Sequence, residues 1–476
     1  MKASRRSRKG NRKPKIAIYD VPKIVGRKLS ASLRAAGCSV LHEGPLSEDT
    51  ARNDADIWIA KWTFLFKKGF LMDFHPSKGI VTLSVGTDHI DKAAISELGI
   101  GLETCPSFSS TSVAEHAMTL AMRALYPESI LPPLGKGQVI FTRFSDDYAE
   151  QAVAHMLLRA RQVDESIERA ENYEYYRKDR TDYRHDEPWT NTELSGTKVG
   201  ILGSDREATE LARILKLGFG CELFAYDTTE ELDLYHPKRL SMPELLDVCD
   251  YVFLCSDDYG LQKPSAADEK LSPRSASEMR MMRVDSSEEL PISDTRFSGS
   301  PVAVLGTGNI GSIIARMARL GFGCNVSAFS RTPRQDLVNF GVRYKDTVEA
   351  ALNRARFIFI ALPLNDATRE LLDWEQLFRI APNRPRVLVN VTRDQIIESE
   401  SLYDMLSLRG IHSYATDVLP NDAILWKGGE PDGLTKKFIQ HPNVIATPHE
   451  GDCSAPSLER MCREAVNKVI MLIGGS

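Results

Sequence analysis

Nowhere in the 476 residues does an apolar run approach the roughly 18 positions needed to cross a bilayer, so no membrane role is expected. Cys-x-x-Cys pairs are missing too. The eight cysteines (Cys38, Cys105, Cys221, Cys249, Cys255, Cys324, Cys453 and Cys462) are scattered, which argues against a zinc site or a disulfide framework. They suit reduced, buried thiols in the cytosol or in an organelle such as the mitochondrion, not a secreted protein. There is no large charge of one sign either. A formal net charge of −5 gives no global attraction to nucleic acid or to an anionic membrane.

Only the first residues break that balance. Lys2, Arg5, Arg6, Arg8, Lys9, Arg12, Lys13 and Lys15 occur there without one acidic residue. Residues 1–14 read as a solvated basic tail, with RNA or another polyanion as the partner such a tail would take. A targeting peptide needs an amphipathic face, and this stretch is nearly devoid of apolar residues.

From Lys15 onward short apolar runs alternate with amphipathic stretches: "KIAIYD", "ADIWIAK", "GIVTLSVG" and "IGLETCP" as strands, "VGRKLSASLRAAG" and "DKAAISELG" as helices. That alternation indicates an α/β fold with doubly wound parallel sheets. The length calls for two or three domains. Two repeats follow. "VAEHAMTLAMRA" (113–124) is echoed by "YAEQAVAHMLLRA" (148–160), each a candidate linking helix. "LSGTKVGILG" (194–203) matches "FSGSPVAVLG" (297–306), and "LGFGC" at 217–221 recurs at 320–324, both 103 positions apart. A constant offset over some thirty residues reads as duplication of a half-domain. The resulting division is a basic tail (1–14), a first α/β domain (15–125) completed by a C-terminal helix (454–476), and a linking region (126–193). A degenerate half-domain (194–261), a linker (262–297) and a nucleotide domain (298–453) follow.

The second copy carries the chemistry. "PVAVLG" is a buried strand, and Gly306-Thr307-Gly308-Asn309-Ile310-Gly311 is the turn into a helix. The first glycine permits the turn, the second lets a diphosphate approach the backbone, and the third lets helix and strand pack closely. This is the phosphate-binding turn of a Rossmann domain. At the end of the next strand stand Ser330, Arg331 and Arg334 instead of an acidic residue. A carboxylate would repel a 2′-phosphate, whereas a hydroxyl and two guanidinium groups would receive it, so NADP is favoured over NAD. In the first copy the turn reads Gly203-Ser204-Asp205-Arg206-Glu207-Ala208, and Asp205 would repel a diphosphate. Asp227 keeps the acidic position of that copy, but the later strands are missing, and the copy reads as a structural relic.

Five segments in order, "SVGTDHID", "SVAEHA", "GTGNIG", "VNVTRD" and "NVIATPHEG", give the chain its resemblance to the D-isomer-specific 2-hydroxyacid dehydrogenases, a family that includes glyoxylate/hydroxypyruvate reductases and phosphoglycerate dehydrogenase. The resemblance covers about residues 15–125 and 298–460. It implies a flavodoxin-like substrate domain beside the Rossmann domain, a homodimer, and a small 2-oxo or 2-hydroxy acid as substrate. It also implies that Arg393 clamps the substrate carboxylate, that His449 exchanges a proton with the substrate oxygen, and that Asp422 orients the imidazole. Backbone N–H groups near Val85 and Gly86 would help hold the carboxylate. No metal is implied.

Independently of the family, reduction of a 2-oxo acid needs a fixed carboxylate, a polarised carbonyl and one proton, which an arginine fork and a carboxylate-paired histidine supply. The chain departs from the family at several points. Asp422 replaces the usual glutamate and is one methylene shorter, which puts its reach to His449 in question. Asp394 follows Arg393 where glycine is usual, and places a negative charge beside the clamp. The expected function is an NADP-dependent reductase of 2-oxo acids. The alternative is a non-catalytic descendant serving as a structural or regulatory subunit of a larger assembly, such as an organellar ribonucleoprotein.

Overall fold

The computed structural model describes residues 12–21, 23–61, 64–84, 86–87, 89–126, 138–141, 148–171, 192–203, 206–226, 230–255, 281–283, 296–380, 386–425 and 429–474. Most of the basic tail, together with Val85, Asp205 and Asp227, lies outside them.

Three parallel sheets organise the chain. The first comprises β1 (Lys15–Tyr19), β2 (Ser39–Gly44), β3 (Ile57–Ala60), β4 (Gly79–Thr82) and β5 (Gly101–Thr104) in the order β2-β1-β3-β4-β5. That is the flavodoxin-type order. Its central strands "IWIA" and "GIVT" are buried throughout, as expected where helices cover both faces of a parallel sheet. One face is closed by the helix Ala455–Gly474, whose Leu458, Met461, Cys462, Ala465 and Val469 pack among Ile16, Ile18, Ile57, Ile59 and Val81.

The second sheet comprises β6 (Gln138–Phe141), β7 (Lys198–Leu202), β8 (Glu222–Ala225), β9 (Lys238–Arg239), β10 (Tyr251–Leu254) and β11 (Met281–Arg283), ordered β11-β6-β10-β7-β8-β9. The third comprises β12 (Pro301–Leu305), β13 (Asn325–Phe329), β14 (Arg343–Tyr344), β15 (Phe357–Ile360), β16 (Val387–Asn390), β17 (Ser413–Thr416) and β18 (Val444–Ala446), ordered β14-β13-β12-β15-β16-β17-β18.

The two repeated stretches therefore have the same strand order, β9-β8-β7-β10 in one and β14-β13-β12-β15 in the other. The earlier copy adds nothing to the later sheet. It also does not stop at four strands: β6, from before the copy, pairs with β10, and β11 pairs with β6. Within the 262–297 stretch read as a linker, Met281–Arg283 forms an edge strand, three residues sufficing because their pairing partner is already in place.

Between the sheets runs the linking helix Ser110–Leu125, buried at almost every position from Ser110 to Met122. Alanines at 114, 117 and 121 give it one slim face, and several of its buried polar groups form hydrogen bonds. Thr119 Oγ1 donates to the carbonyl of Glu115 at 2.6 Å, and His116 Nε2 lies 2.9 Å from Thr447 Oγ1. The second linking helix, Tyr148–Ala160, packs against the first, and a short helix, Val163–Glu171, follows it. All eight cysteines are buried free thiols, and no helix among the described residues is long and apolar enough to cross a membrane.

Candidate active site

The site lies where the carboxyl ends of the third sheet's strands face the first sheet, the usual place for a ligand crevice in an open α/β sheet. It is a cleft of about 600 Å³. Its walls bring together Gly86, Gly308, Asn309, Ile310, Arg331, Arg393 and His449, with Ser84, Lys92, Asp417 and Asp452 beside them.

The three glycines of the loop differ in what surrounds them. Gly306 has φ +90, and a Cβ there would meet the carbonyl oxygen of Ala361 at 2.5 Å. At Gly311 a Cβ would fall 1.9 Å from the carbonyl oxygen of Gly306. Gly308 is the opposite case, with open space where its Cβ would be. It is also the N-cap of the helix Asn309–Arg316, and no side chain caps that end. Backbone N–H groups at the positive end of a helix, bare on the side facing the cleft, fit an anion such as a diphosphate. Asn309 turns its amide elsewhere, donating to the carbonyl of Pro106 at 3.0 Å and so joining the loop to the first domain.

At the end of β13 the three residues expected to receive a 2′-phosphate separate. Arg331 lines the cleft. Ser330 is half-buried beside it. Arg334 is exposed and paired with Asp336, its Nη2 3.0 Å from Oδ2, and its backbone N–H donates to Tyr344 Oη at 3.1 Å. It therefore braces its own loop.

Opposite the glycine loop, Arg393 sits in the turn after β16. Its Nη1 donates to the carbonyl of Thr392 at 2.8 Å, while Asn390 Nδ2 donates to the carbonyl of Arg393 at 2.9 Å. His449 follows β18 at φ +51, a left-handed conformation that a non-glycine residue holds only when its surroundings impose it. Those surroundings are visible. Asp417 accepts from the backbone N–H of Glu450 at 2.9 Å and of Gly451 at 2.8 Å, and Thr447 Oγ1 donates to the same carboxylate at 2.7 Å.

Asp422 reaches His449 despite the shorter side chain, with Oδ2 2.6 Å from Nδ1. The helix Asp422–Leu425 begins at that residue, which brings its carboxylate against the ring. Burial disfavours the imidazolium, but Asp422, by charge and hydrogen bond, and then Asp417 outweigh it, so the His449 pKa is raised above its ordinary value even with Arg393 opposing.

The structure corrects the placement of Asp394. Its carboxylate turns from the cleft and accepts from the backbone N–H of Asn421 at 3.1 Å. Burial, and then the neighbouring Asp422, push its pKa up to about 7. It burdens the Asp422 side of the site, not the clamp.

Sequence reasoning missed two participants. Lys61 Nζ lies 3.4 Å from Asp452 Oδ2, a shielded ion pair at the rim of the cleft. Arg161, fully buried, holds the loop that carries His449. Neither lies in a recognisable motif, and each partner is hundreds of positions away.

The profile of the D-isomer specific 2-hydroxyacid dehydrogenase NAD-binding domain matches residues 153–257 and 271–451, more than half of the chain. The chain belongs to that family. Relatives include glyoxylate/hydroxypyruvate reductase B of Enterobacter agglomerans, 28% identical over 175 residues, which are 37% of this chain and 51% of the relative. D-lactate dehydrogenase of Streptococcus pyogenes serotype M1 is 29% identical over 192 residues, 39% of this chain and 56% of the relative. The chain thus spans about half the length of the curated relatives it matches. Among solved structures, D-lactate dehydrogenase from Aquifex aeolicus, complexed with NAD and lactic acid, aligns with a TM-score of 0.54 at 16% identity, covering 97% of this chain and 96% of the other. An NADPH-dependent glyoxylate/hydroxypyruvate reductase from Sinorhizobium meliloti aligns at 0.52 with 15% identity, covering 97% and 94%. At these identities the alignments speak for the fold alone.

Proposed function

We propose that the protein reduces small 2-oxo acids to 2-hydroxy acids with a nicotinamide cofactor, NADPH in preference to NADH. The carrying observation is the His449–Asp422 pair, closed at 2.6 Å and facing the same cleft as Arg393 and the open glycine loop.

The cofactor, when bound, supplies the hydride that adds to the substrate's carbonyl carbon. Gly308 and the N–H groups opening the helix Asn309–Arg316 hold its diphosphate. Arg393 binds the substrate carboxylate through its planar fork, assisted by the backbone at Gly86. With Nδ1 committed to Asp422, Nε2 of the imidazolium delivers the proton that the carbonyl oxygen acquires as it becomes a hydroxyl. The preference for NADPH rests on Arg331 at the cleft and on the absence of a carboxylate at the end of β13.

NADPH oxidation with glyoxylate or hydroxypyruvate is the test, alongside NADPH fluorescence on binding. His449→Ala should lower kcat by about 10²- to 10⁴-fold and leave NADPH binding intact. Arg331→Ala should weaken NADPH about tenfold with little effect on NADH. Binding without turnover, unchanged by His449→Ala, would mark a non-catalytic descendant. Absence of NADPH binding would remove the cofactor assignment as well.

A further inference from the structure

The proposed chemistry makes no use of residues 148–255, yet they reach the site. Their relation to the rest of the chain has a specific symmetry. The first linking helix packs on the helix Asn309–Arg316 of the later copy, but its Glu115 accepts the backbone N–H groups of Leu194 and Ser195, at 2.7 and 2.8 Å, at the head of the earlier copy. The second linking helix packs on the helix Arg206–Arg213 of the earlier copy. Its Glu150 accepts the N–H groups of Phe297 and Ser298, both at 2.7 Å, at the head of the later one. Leu194 and Phe297 are themselves 103 positions apart. Each helix therefore packs on one copy and caps the other.

Equivalent residues also meet each other. A Cβ on Gly321 would lie 2.8 Å from the Cα of Gly218, and one on Gly218 would lie 3.1 Å from the Cα of Gly321. Phe219 and Phe322 meet edge to face with ring centres 6.1 Å apart. Reciprocal contacts, with equivalent positions touching at the centre, are the signature of an isologous two-fold interface.

From the earlier copy's side, three residues grip the loop after His449. Arg161 Nη2 donates to the carbonyl of Gly451 at 2.8 Å, and its Nη1 donates to Ser112 Oγ at 2.8 Å. Ser112 Oγ donates in turn to the same Gly451 carbonyl at 2.7 Å. Ser166 donates to the Glu450 carboxylate, and Arg169 Nη2 is 2.8 Å from its Oε2. Asp417 fixes the N–H groups of this loop from within the nucleotide domain, and Arg161 fixes its carbonyl from outside that domain.

We propose that the half-domain and its helices, products of an internal duplication, occupy within one chain the place of the second subunit of a two-fold dimer, and that Arg161 is the positioning residue through which this in-chain partner sets the His449 loop. A second chain then has no face on which to dock in that manner. The positioning role rests on the reading of His449 as proton donor, while the replacement of a second subunit does not.

Light scattering of the full-length protein at micromolar concentration should give the mass of one chain, 53.1 kDa. A stable dimer would overturn the replacement of a second subunit, whatever the activity. For Arg161, hydrogen exchange of the 447–453 segment is read in Arg161→Met and, in case that variant folds poorly, in the half-exposed Arg169→Ala. Exchange there should rise about tenfold while the 302–316 segment stays unchanged. Unchanged exchange at 447–453 in a folded variant would overturn the positioning role even if the protein turns over no substrate. In an active enzyme Arg161→Met should lower kcat with little change in the KM for the 2-oxo acid, and Arg161→Lys should recover part of it. A change confined to KM would also overturn it.

Discussion

Two carboxylates that feel each other's charge serve opposite purposes. Asp422 holds His449 in its charged form, and Asp394, buried and then opposed by the charge of Asp422, gives up its own charge near neutrality. Because the His449 pKa is raised, the proton-donating form persists above the ordinary value of 6.5, and activity should fall only as pH rises through the raised value. Asp422→Asn should move that fall to lower pH and cut kcat by about 10- to 100-fold at pH 8, as a pH–rate profile would show. An unmoved profile would mean that Asp422 does not govern the imidazole. For Asp394 the sign is reversed. A carboxyl whose pKa rises from 3.8 to about 7 on folding costs stability progressively as pH climbs between those values. Asp394→Asn keeps an acceptor for Asn421 and loses the charge. Its Tm advantage should grow from about pH 4 to 7 and level off above, as thermal melts across pH would show. Sequence showed that both residues were unusual, but the direction in which each carboxylate points depends on the loop at Asn421, which no local pattern encodes.

At the scale of the elements, the glycine loop was legible because its demands are local: a strand, a tight turn and a helix within about fifteen residues. The structure separates those demands. Gly311→Ala places a methyl group against the Gly306 carbonyl and should destabilise the fold by about 1–3 kcal/mol, read in a denaturant melt. Gly308→Ala projects into open cleft, so it should leave stability nearly unchanged while weakening NADPH. Equal damage to stability from the two would contradict this division. The glycine pair at 218 and 321 was visible only as repetition, since contact between two repeats is set by packing and not by periodicity. Gly321→Val should cost about 2 kcal/mol or more, because the opposing atoms are Gly218 backbone, which cannot turn aside as a side chain does. The strand β11 was obscure for a related reason: at three residues it carries too little pattern, and an existing sheet edge decides its conformation.

For the molecule as a whole, buried acids set the response to pH. Glu115 and Glu450, like Asp394, have pKa values pushed up to about 7, in each case first by burial. Folding then takes up protons between the ordinary carboxylate range and about pH 7, so the protein should be more stable near pH 5.5 than at pH 8. Calorimetry showing higher Tm at pH 8 would contradict it. The fold class was readable from alternation of strands and helices, and short motifs singled out Arg393 and His449, which the structure places on one cleft. The bonds from Arg161 to Gly451 and from Arg460 to Glu193 span 290 and 267 positions, and only the assembled structure pairs them.

The helix Ala455–Gly474 has a consequence for biosynthesis. The first sheet is completed by residues translated more than 350 positions after β5, and Leu472 lies against Gly79 and Gly101. The strands of that sheet leave the ribosome well before that helix and must therefore wait, one apolar face uncovered, until it is made. Meanwhile the nucleotide domain, all of whose strands precede that helix, can fold ahead of it. The first sheet is thus translated before the third and completed after it, which makes that waiting surface the natural client of a chaperone.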